Sequence, residues 1–245
     1  MPKIVIAADG NVGKEILLYL ERNFRQDVAM CVVVPGSEVE SLAHSFGFRV
    51  VPWRSEVDVA NQLKTINVDI GVLAWWPYVL HEPLITEPKQ GWINTHPSLL
   101  PHCRGKHYNF WSIVEEVPFG VSLHWISKDL DHGDLIVQQQ IDYDWTDTGE
   151  SLYFKAQGEM SKLFVNNYEL IREGRASRFT QEKNSGSFHL ANEINSASQL
   201  TLSQQITVRD LLNLLRARTF EGYPACTFTD NGNLYEVRIS ISKID

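Results

Sequence analysis

The chain has 245 residues, and 30 Asp and Glu against 22 Lys and Arg give it a formal net charge of -8 at pH 7. This acidic balance argues against extended nucleic-acid binding, which depends on neutralising phosphates with Lys and Arg, although a local basic pocket for one diphosphate is compatible with it. Hydrophobic residues make up 43% of the chain, which predicts a folded protein with a sizeable core. The sequence shows neither a signal-peptide pattern at Met1 nor an apolar run near the ~20 residues of a membrane span. We therefore expect a cytoplasmic protein with no membrane partner.

Strand and helix patterns alternate along the first part of the chain. Apolar strand patterns occupy residues 3–8, 27–34, 49–51 and 70–74, with helical spacing between them. This alternation predicts an α/β fold with a doubly wound, mostly parallel sheet that helices cover on both faces. After the first strand, Gly10 and Gly13 supply half of a dinucleotide fingerprint, which favours a plain strand-to-helix turn over a phosphate cradle.

An aromatic segment follows the strand pattern that ends at Ala74. Its residues are Trp75, Trp76, Pro77 and Tyr78. They fall at the carboxyl edge of the predicted sheet, where open α/β sheets bind their ligands. Either tryptophan alone is compatible with core packing, but the set favours a pocket wall for a flat ring.

The next strand pattern, at 92–96, carries two polar side chains. Asn94 and His96 are two residues apart, so both emerge on one face of the strand. Pro97 stops regular strand pairing, which places both side chains at the carboxyl end. An amide donates without ionising, while an imidazole donates or accepts a proton, so the pair suits a tetrahedral oxyanion.

The second part of the chain adds further elements and a change of composition. Strand patterns at 120–126 and 135–141 flank a polar loop that contains Asp131, and a long helix starts at Thr148. Taken alone, Asp131 resembles a solvated turn residue. We predict a main domain over 1–175, an irregular connection over 176–203 and a small helix with a β-hairpin over 204–245. A lone hairpin is marginal in water, so a second copy of the protein is a candidate to cover it.

Several separated motifs occur in an order that resembles a known family. They are Asn94-x-His96-Pro97-Ser98-Leu99-Leu100-Pro101, Arg104-Gly105, Gly120-Val121-Ser122-Leu123-His124 and Leu130-Asp131-x-Gly133. Together they resemble the N10-formyltetrahydrofolate-dependent formyltransferases, which act on glycinamide ribonucleotide, methionyl-tRNA or nucleotide sugars. The resemblance covers roughly residues 1–175 and implies a Rossmann-like formyltransferase fold.

The resemblance implies roles for particular residues. The family's Asn, His and Asp fall on Asn94, His96 and Asp131, which makes Asp131 a catalytic candidate; which of His96 and Asp131 is the formal base stays open. The formyl donor would be N10-formyltetrahydrofolate, a folate cosubstrate used without a metal. Its pterin would lie against the Trp75–Tyr78 segment and a second loop, formed by Ser127, Lys128, Asp129 and Leu130.

The same resemblance narrows the identity of the molecule that accepts the formyl group. The segment at 104–111, the acidic balance and the short tail look like sugar N-formyltransferases that act on dTDP-linked amino-dideoxy sugars, and they favour dTDP-4-amino-4,6-dideoxyglucose over 3-amino isomers. The residues implied to bind this dTDP-amino sugar are Arg104, Gly105, Lys106, Tyr108, Asn109 and Trp111. Trp111 is equally compatible with a core position. The tail after Arg216 is similar to one through which such enzymes form homodimers.

Other interpretations of the function and of the site are open at this point. Methionyl-tRNA or glycinamide ribonucleotide is an alternative acceptor, and a folate- or nucleotide-sugar-binding regulator is the alternative outside catalysis. Cys103 has histidines nearby in sequence, but formyl transfer does not need a thiolate. A zinc site built from histidines and Cys103 lacks paired helical spacing, so we expect no metal. The three cysteines are too widely spaced to indicate a disulfide framework.

Overall fold

The computed structural model describes residues 1–182 and 185–244. Lys183 and Asn184, in the predicted connection, and Asp245, at the end of the predicted C-terminal part, lie outside the described residues. The strands are β1 Ile4–Ala8, β2 Val28–Val33, β3 Val50–Pro52, β4 Ile70–Ala74, β5 Trp92–His96, β6 Arg104–Gly105, β7 Gly120–Trp125, β8 Leu135–Gln140, β9 Phe188–His189, β10 Gln199–Leu200, β11 Cys226–Asp230 and β12 Asn233–Val237. The helices are α1 Gly10–Phe24, α2 Glu38–Ser45, α3 Glu56–Lys64, α4 Tyr108–Val114, α5 Gly149–Arg172, α6 Glu193–Ala197 and α7 Val208–Arg218.

A seven-stranded sheet has the order β3-β2-β1-β4-β5-β7-β8. The pairs from β3 to β5 are parallel, whereas β7 runs antiparallel to β5. From β1 the chain proceeds outward to β2 and β3, then returns to add β4 and β5 on the other side. This reversal is the switch point of a doubly wound fold, which confirms the predicted fold class.

The first βα unit forms because β1 is fully buried and α1 has an apolar face. Asp9 is extended and α1 begins at Gly10, so the connection is shorter than the predicted turn over 9–13. A Cβ on Gly13 would lie 3.0 Å from the carbonyl oxygen of Ala74, a tight contact that the neighbouring backbone would have to accommodate. Close helix–strand packing therefore accounts for this glycine.

The longest helix, α5, begins as the sequence predicts. The Thr148 hydroxyl accepts a hydrogen bond from the Ser151 backbone N–H at 3.2 Å, which caps the first turn. The predicted apolar face is buried at Leu152, Ala156, Met160, Leu163, Phe164, Tyr168 and Ile171. Within the described ranges, no helix has both the length and the apolar character needed to cross a bilayer.

A buried ion pair fixes the last turn of α5. Asp27, directly before β2, is fully buried and accepts hydrogen bonds from Arg172 Nε at 2.7 Å and Nη2 at 3.1 Å. The Tyr168 hydroxyl donates a third hydrogen bond to Asp27, at 3.1 Å. The carboxylate is thus fully partnered, which is the condition under which a buried charge is tolerated.

Contacts within the chain define two compact, discontinuous units. The first consists of Met1–His96, Ser122–Gln138 and Gln157–Gln181, and the second of Pro97–Val121, Gln139–Ala156 and Glu182–Asp245. This division cuts across the boundary predicted at residue 175, because packing rather than order along the chain determines a compact unit. The stretch predicted as an irregular connection also contains β9, α6 and β10.

In the second unit, α7 is held by Arg216. This side chain is 4% exposed, and its Nη1 donates to the carbonyls of Asp144 and Asp147 at 2.6 and 3.0 Å. The Thr207 hydroxyl caps α7 by accepting a hydrogen bond from the Asp210 N–H at 3.1 Å. The β11–β12 hairpin turns at Asn231, whose φ is 47°.

Candidate active site

The candidate site lies in the first unit, where β5 pairs with β7. Asn94 stands directly opposite His124 in the antiparallel register, and His96 stands opposite Ser122. Cross-strand partners place their side chains side by side on one face of a sheet. The alternation of β5 therefore brings Asn94 and His96 to the same face as His124, at the carboxyl end of β5.

Asp131 joins these side chains from the loop between β7 and β8. Its Oδ1 lies 3.5 Å from His96 Nδ1 and 3.6 Å from His124 Nε2, and 3.5 Å from Asn94 Nδ2. His96, His124 and Asp131 are 4%, 1% and 8% exposed. In a site this dry, charge interactions are much stronger than in water. The structure thus brings together all three predicted catalytic residues.

His124 sets the direction of the Asn94 amide. Its Nδ1 is 2.9 Å from the carbonyl oxygen of Trp125, which can only accept, so Nδ1 carries the proton. Desolvation lowers the pKa of His124 to about 4 despite the nearby Asp131 carboxylate, so the ring is neutral at pH 7. Its bare Nε2 then accepts a hydrogen bond from Asn94 Nδ2, at 3.2 Å.

This burial makes a prediction about stability in acid. Because the pKa of His124 is about 4 in the folded state against 6.5 normally, the unfolded chain binds a proton more readily between these values. Stability should therefore fall as pH drops from about 6.5 to about 4, because the unfolded chain gains a proton that folded His124 does not accept. Urea unfolding across this range should show a correspondingly flatter pH dependence in His124→Gln. The exposed control His44→Gln should keep the wild-type slope; equal slopes in all three proteins would contradict the prediction.

The aromatic segment after β4 is anchored by Thr95. The Thr95 hydroxyl accepts from the Trp75 N–H at 2.8 Å and donates to the Leu73 carbonyl at 3.0 Å, and it holds Trp75 at a φ of 57°. Trp76 is 9% exposed and packs in the hydrophobic core, and its role as a pocket wall stays a prediction. Tyr78 is 42% exposed and stacks on Trp53, with ring centroids 5.3 Å apart. Pro77 is also exposed.

The second predicted folate-binding segment is mostly exposed. Lys128, Asp129 and Leu130 lie at the surface, and Lys128 pairs with Glu82 at 2.9 Å. The Ser127 hydroxyl donates to the Asp129 carbonyl at 2.9 Å, which closes a tight turn before Asp131. The Ser127 side chain therefore stabilises the turn to which it belongs.

The predicted sugar-binding residues all belong to the second unit. Arg104 donates to the carbonyls of Ser185 and Ser187 at 3.3 and 3.4 Å, and a Cβ on Gly105 would lie 2.2 Å from the carbonyl oxygen of His189. Lys106 is exposed, and Asn109 donates a hydrogen bond to the Gly149 carbonyl at 2.8 Å. The two aromatic residues stack on other rings: Tyr108 on Phe119, and Trp111 on His189 with ring centroids 3.8 Å apart. Asn109, Tyr108 and Trp111 thus make packing or hydrogen-bond contacts within this unit.

The thiol and metal alternatives fit the structure poorly. Cys103 is fully buried, and desolvation raises the pKa of its thiol to about 12, so it is not a ready nucleophile. One ligand atom each from His96, His124 and Asp131 lies within 4.8 Å of the others, a spacing that can hold a metal ion. However, the Asn94 amide N–H already occupies the lone pair of His124 that a metal would need.

Sequence reasoning missed two residues of the site. His124 occurs in one of the family motifs, but no role in the site is predicted for it because the β5–β7 pairing is not visible in local patterns. Gln181 lies in a stretch without periodicity, yet it is 4% exposed and contacts the Asp131 loop. Alternation of polar and apolar residues in β7 was the available signal for His124, and no comparable signal exists for Gln181.

The structure is thus an α/β protein with a doubly wound sheet, in which an amide and an imidazole on β5 meet a carboxylate from the β7–β8 loop. The chain belongs to the formyl transferase family: the model described as "Formyl transferase" matches residues 43–167. A second model, "N-formyltransferase dimerization C-terminal domain", matches residues 193–243.

Two curated relatives illustrate the range of this family. The chain is 27% identical over 209 residues to a methionyl-tRNA formyltransferase of Geobacillus thermodenitrificans, which covers 84% of this chain. It is 28% identical over 148 residues to a dTDP-4-amino-4,6-dideoxyglucose formyltransferase of Mycobacterium bovis, which covers 60% of this chain. Each match spans 63% of the relative's own length.

Solved structures share the fold over nearly the whole chain. A 4-N formyltransferase from Francisella tularensis superposes with a TM-score of 0.83 at 23% identity and covers 99% of both chains. An N-formyltransferase from Helicobacter canadensis, in complex with folinic acid and dTDP-3-aminofucose, has a TM-score of 0.78 at 21% identity and covers 95% of this chain and 85% of that one. At these identities the likeness establishes the fold.

Proposed function

We propose that the chain is a sugar N-formyltransferase that moves a formyl group from N10-formyltetrahydrofolate to the amine of a dTDP-linked amino-dideoxy sugar. The observation that carries this proposal is the environment of the two ring nitrogens of His96. Its Nδ1 faces the Asp131 carboxylate, while its Nε2 is buried and has no hydrogen-bond partner among the described residues. A buried imidazole nitrogen left unsatisfied beside an amide donor suits a substrate that exchanges a proton there.

The three side chains divide the reaction between them. The donor supplies a formyl group on an aniline-like nitrogen, which is a tolerable leaving group, so the amine attacks directly. Asn94 donates a hydrogen bond to the oxygen that gains negative charge, a contact worth about 3 kcal/mol in comparable sites. His96 Nε2 takes the proton that the amine releases and returns it to the departing nitrogen. Asp131 stabilises the imidazolium formed in between.

The relatives support this choice of donor and acceptor. The Helicobacter canadensis protein was solved with folinic acid and dTDP-3-aminofucose, and the Mycobacterium bovis relative is named for dTDP-4-amino-4,6-dideoxyglucose. For this chain, the exposed Pro77 and Tyr78 and the Ser127–Leu130 turn are the proposed folate contacts. The segment 104–111 is the proposed acceptor contact, with Arg104 suited to a diphosphate.

Methionyl-tRNA is the second candidate acceptor, because the Geobacillus relative aligns with 84% of the chain. The net charge of -8 disfavours it, since binding tRNA requires many contacts between basic side chains and phosphates. Filter binding to initiator tRNA over a range of salt concentrations separates the two candidates. Absence of binding at low salt would remove the tRNA assignment.

The direct test is a formyl-transfer assay with purified protein. N10-formyltetrahydrofolate is combined with dTDP-4-amino-4,6-dideoxyglucose, its 3-amino isomer or methionyl-tRNA, and the formylated product is identified by mass spectrometry. We expect the 4-amino sugar to give the highest kcat/KM, by about tenfold or more over the 3-amino isomer. Formylation of the tRNA alone, or of no acceptor, would reject the proposal.

We also propose that the protein forms a homodimer through its C-terminal hairpin. In the sheet order β10-β11-β12, strand β12 is at an edge, and an unpaired edge is open to association. Large apolar side chains on and near this hairpin are exposed: Leu234 is 71%, Leu202 65% and Tyr235 44% exposed. The family model that matches residues 193–243 is described as a dimerisation domain, which supports this assignment.

A point variant tests the dimer better than truncation, since removal of α7 would also strip Arg216 from its buried contacts. Leu234→Asp places a charge on the exposed apolar surface of the hairpin. Sedimentation velocity should show a dimer for the wild type and a monomer for the variant. Val57→Asp, at another exposed apolar position, on α3, should remain dimeric. An unchanged mass per particle in Leu234→Asp would contradict the proposed interface.

A further inference from the structure

The loop that carries Asp131 adopts a conformation that needs external support. Asp131 has a φ of 53°, in the left-handed region that residues with a side chain rarely adopt. Two residues later, a Cβ on Gly133 would lie 1.8 Å from the carbonyl oxygen of Trp125, so the loop presses against the end of β7. A tight loop of this kind persists only when surrounding groups over-determine it.

Gln181 supplies such support through both of its amide protons. Its Nε2 donates to the carbonyl oxygen of Asp131 at 3.0 Å and to that of Gly133 at 2.7 Å. Carbonyl oxygens only accept, so the orientation of the amide follows from its partners. The two contacts bracket His132 and clamp the turn on both sides of it.

The backbone places Gln181 for this contact. Leu135 and Phe179 exchange two backbone hydrogen bonds, at 2.8 and 2.9 Å, so the segment leading to Gln181 runs beside the start of β8. The Gln181 side chain is 4% exposed. It therefore reaches the Asp131 loop from a fixed neighbouring segment.

The other end of the amide is unsatisfied. Gln181 Oε1 is buried and finds no hydrogen-bond partner in the part of the chain that the structure describes. An apolar side chain of similar volume would avoid this unpaired oxygen, so packing alone does not account for glutamine at this position. The two donated hydrogen bonds are what an apolar side chain cannot provide.

We propose that Gln181 is a positioning residue for formyl transfer, which holds the Asp131 loop so that the carboxylate faces His96 and His124. The inference rests on the proposed function for its kinetic consequences, although the geometry of the clamp does not depend on it. Without the clamp, the loop relaxes from its left-handed turn and the Oδ1 contacts at 3.5 and 3.6 Å lengthen.

The test compares Gln181→Met, which removes both donors at similar volume, with Gln181→Glu. We expect Gln181→Met to lower kcat by about 30- to 100-fold while the KM for each substrate changes less than about threefold, because the reacting groups and not the binding surfaces are displaced. Gln181→Glu places a carboxylate against two carbonyl oxygens and can donate only when protonated. Its activity relative to Gln181→Met should therefore rise as pH is lowered.

A readout independent of turnover separates this proposal from the proposed function. NMR titration of the His96 and His124 ring protons in Gln181→Met should differ from that in the wild type, because the Asp131 charge has moved. Gln62→Met on α3, which removes an amide oxygen that accepts a hydrogen bond from Arg49, should leave both kinetics and titration unchanged. If the wild-type protein forms no formylated product, the proposed function is rejected. The NMR titration then still tests whether Gln181 positions the Asp131 loop. Wild-type kcat and titration in Gln181→Met, with or without lowered stability, would overturn the positioning role.

Discussion

Replacing Asp131 by Asn is expected to lower kcat/KM for formyl transfer by about 10³-fold or more, with little change in the folded structure. The amide has nearly the same volume but no charge to stabilise a protonated His96, whose Nδ1 lies 3.5 Å from Asp131 Oδ1. His96→Gln should have a comparable effect, since it removes the only group at this position that can carry a proton between amine and leaving nitrogen.

This expectation is checked by steady-state kinetics with N10-formyltetrahydrofolate and dTDP-4-amino-4,6-dideoxyglucose, with circular dichroism to verify folding. Asp134→Asn is the matched control. It alters a carboxylate in the same loop, and the contact of this residue with Trp125 runs through its backbone oxygen. The control should keep wild-type kcat. Near-normal turnover in both Asp131→Asn and His96→Gln would remove these residues from the mechanism.

Replacing Asp27 by Ala is expected to produce the largest loss of stability, about 3–5 kcal/mol. The substitution leaves the Arg172 guanidinium without the carboxylate that accepts two of its hydrogen bonds, and it also leaves the Tyr168 hydroxyl without its acceptor. Urea unfolding followed by fluorescence measures the change in the free energy of unfolding.

Two controls define the origin of that loss. Glu38→Ala removes an exposed ion pair with Lys14, and it should change the free energy of unfolding little because solvent screens surface charges. The double variant Asp27→Leu with Arg172→Leu removes both charges and should recover much of the stability lost in Asp27→Ala. A loss below about 1 kcal/mol in Asp27→Ala would contradict a structural role for the pair.

Local patterns predicted the regular part of the fold well. β4 and β5 have the predicted limits, and the helix start predicted at Thr148 is a real one. The two-residue strands β6, β9 and β10 were not predicted, because their pairing depends on residues far away in sequence and leaves no periodicity. The same limitation hid the antiparallel placement of β7.

Residues of the candidate site could be predicted from the sequence where their proximity depends on neighbours in the chain, and not where it depends on distant segments. Asn94 and His96 follow from alternation within one strand, whereas Asp131 was reached through family resemblance. His124 joins the site through strand register, and Gln181 joins through a backbone pairing about 45 residues removed from the loop that it contacts. Trp76 is predicted as a ligand contact from its position at the sheet edge, and its indole packs in the core.

The hydrogen bond from His124 to the Trp125 carbonyl has a consequence for how the site meets its substrates. Because that backbone contact fixes the ring proton on Nδ1, and the ring stays neutral, Nε2 can act only as an acceptor. The Asn94 amide cannot rotate without losing that acceptor. The amide that we propose as the oxyanion donor is thus aligned before any ligand binds, so folding rather than the reaction would supply the reorganisation energy for aligning it.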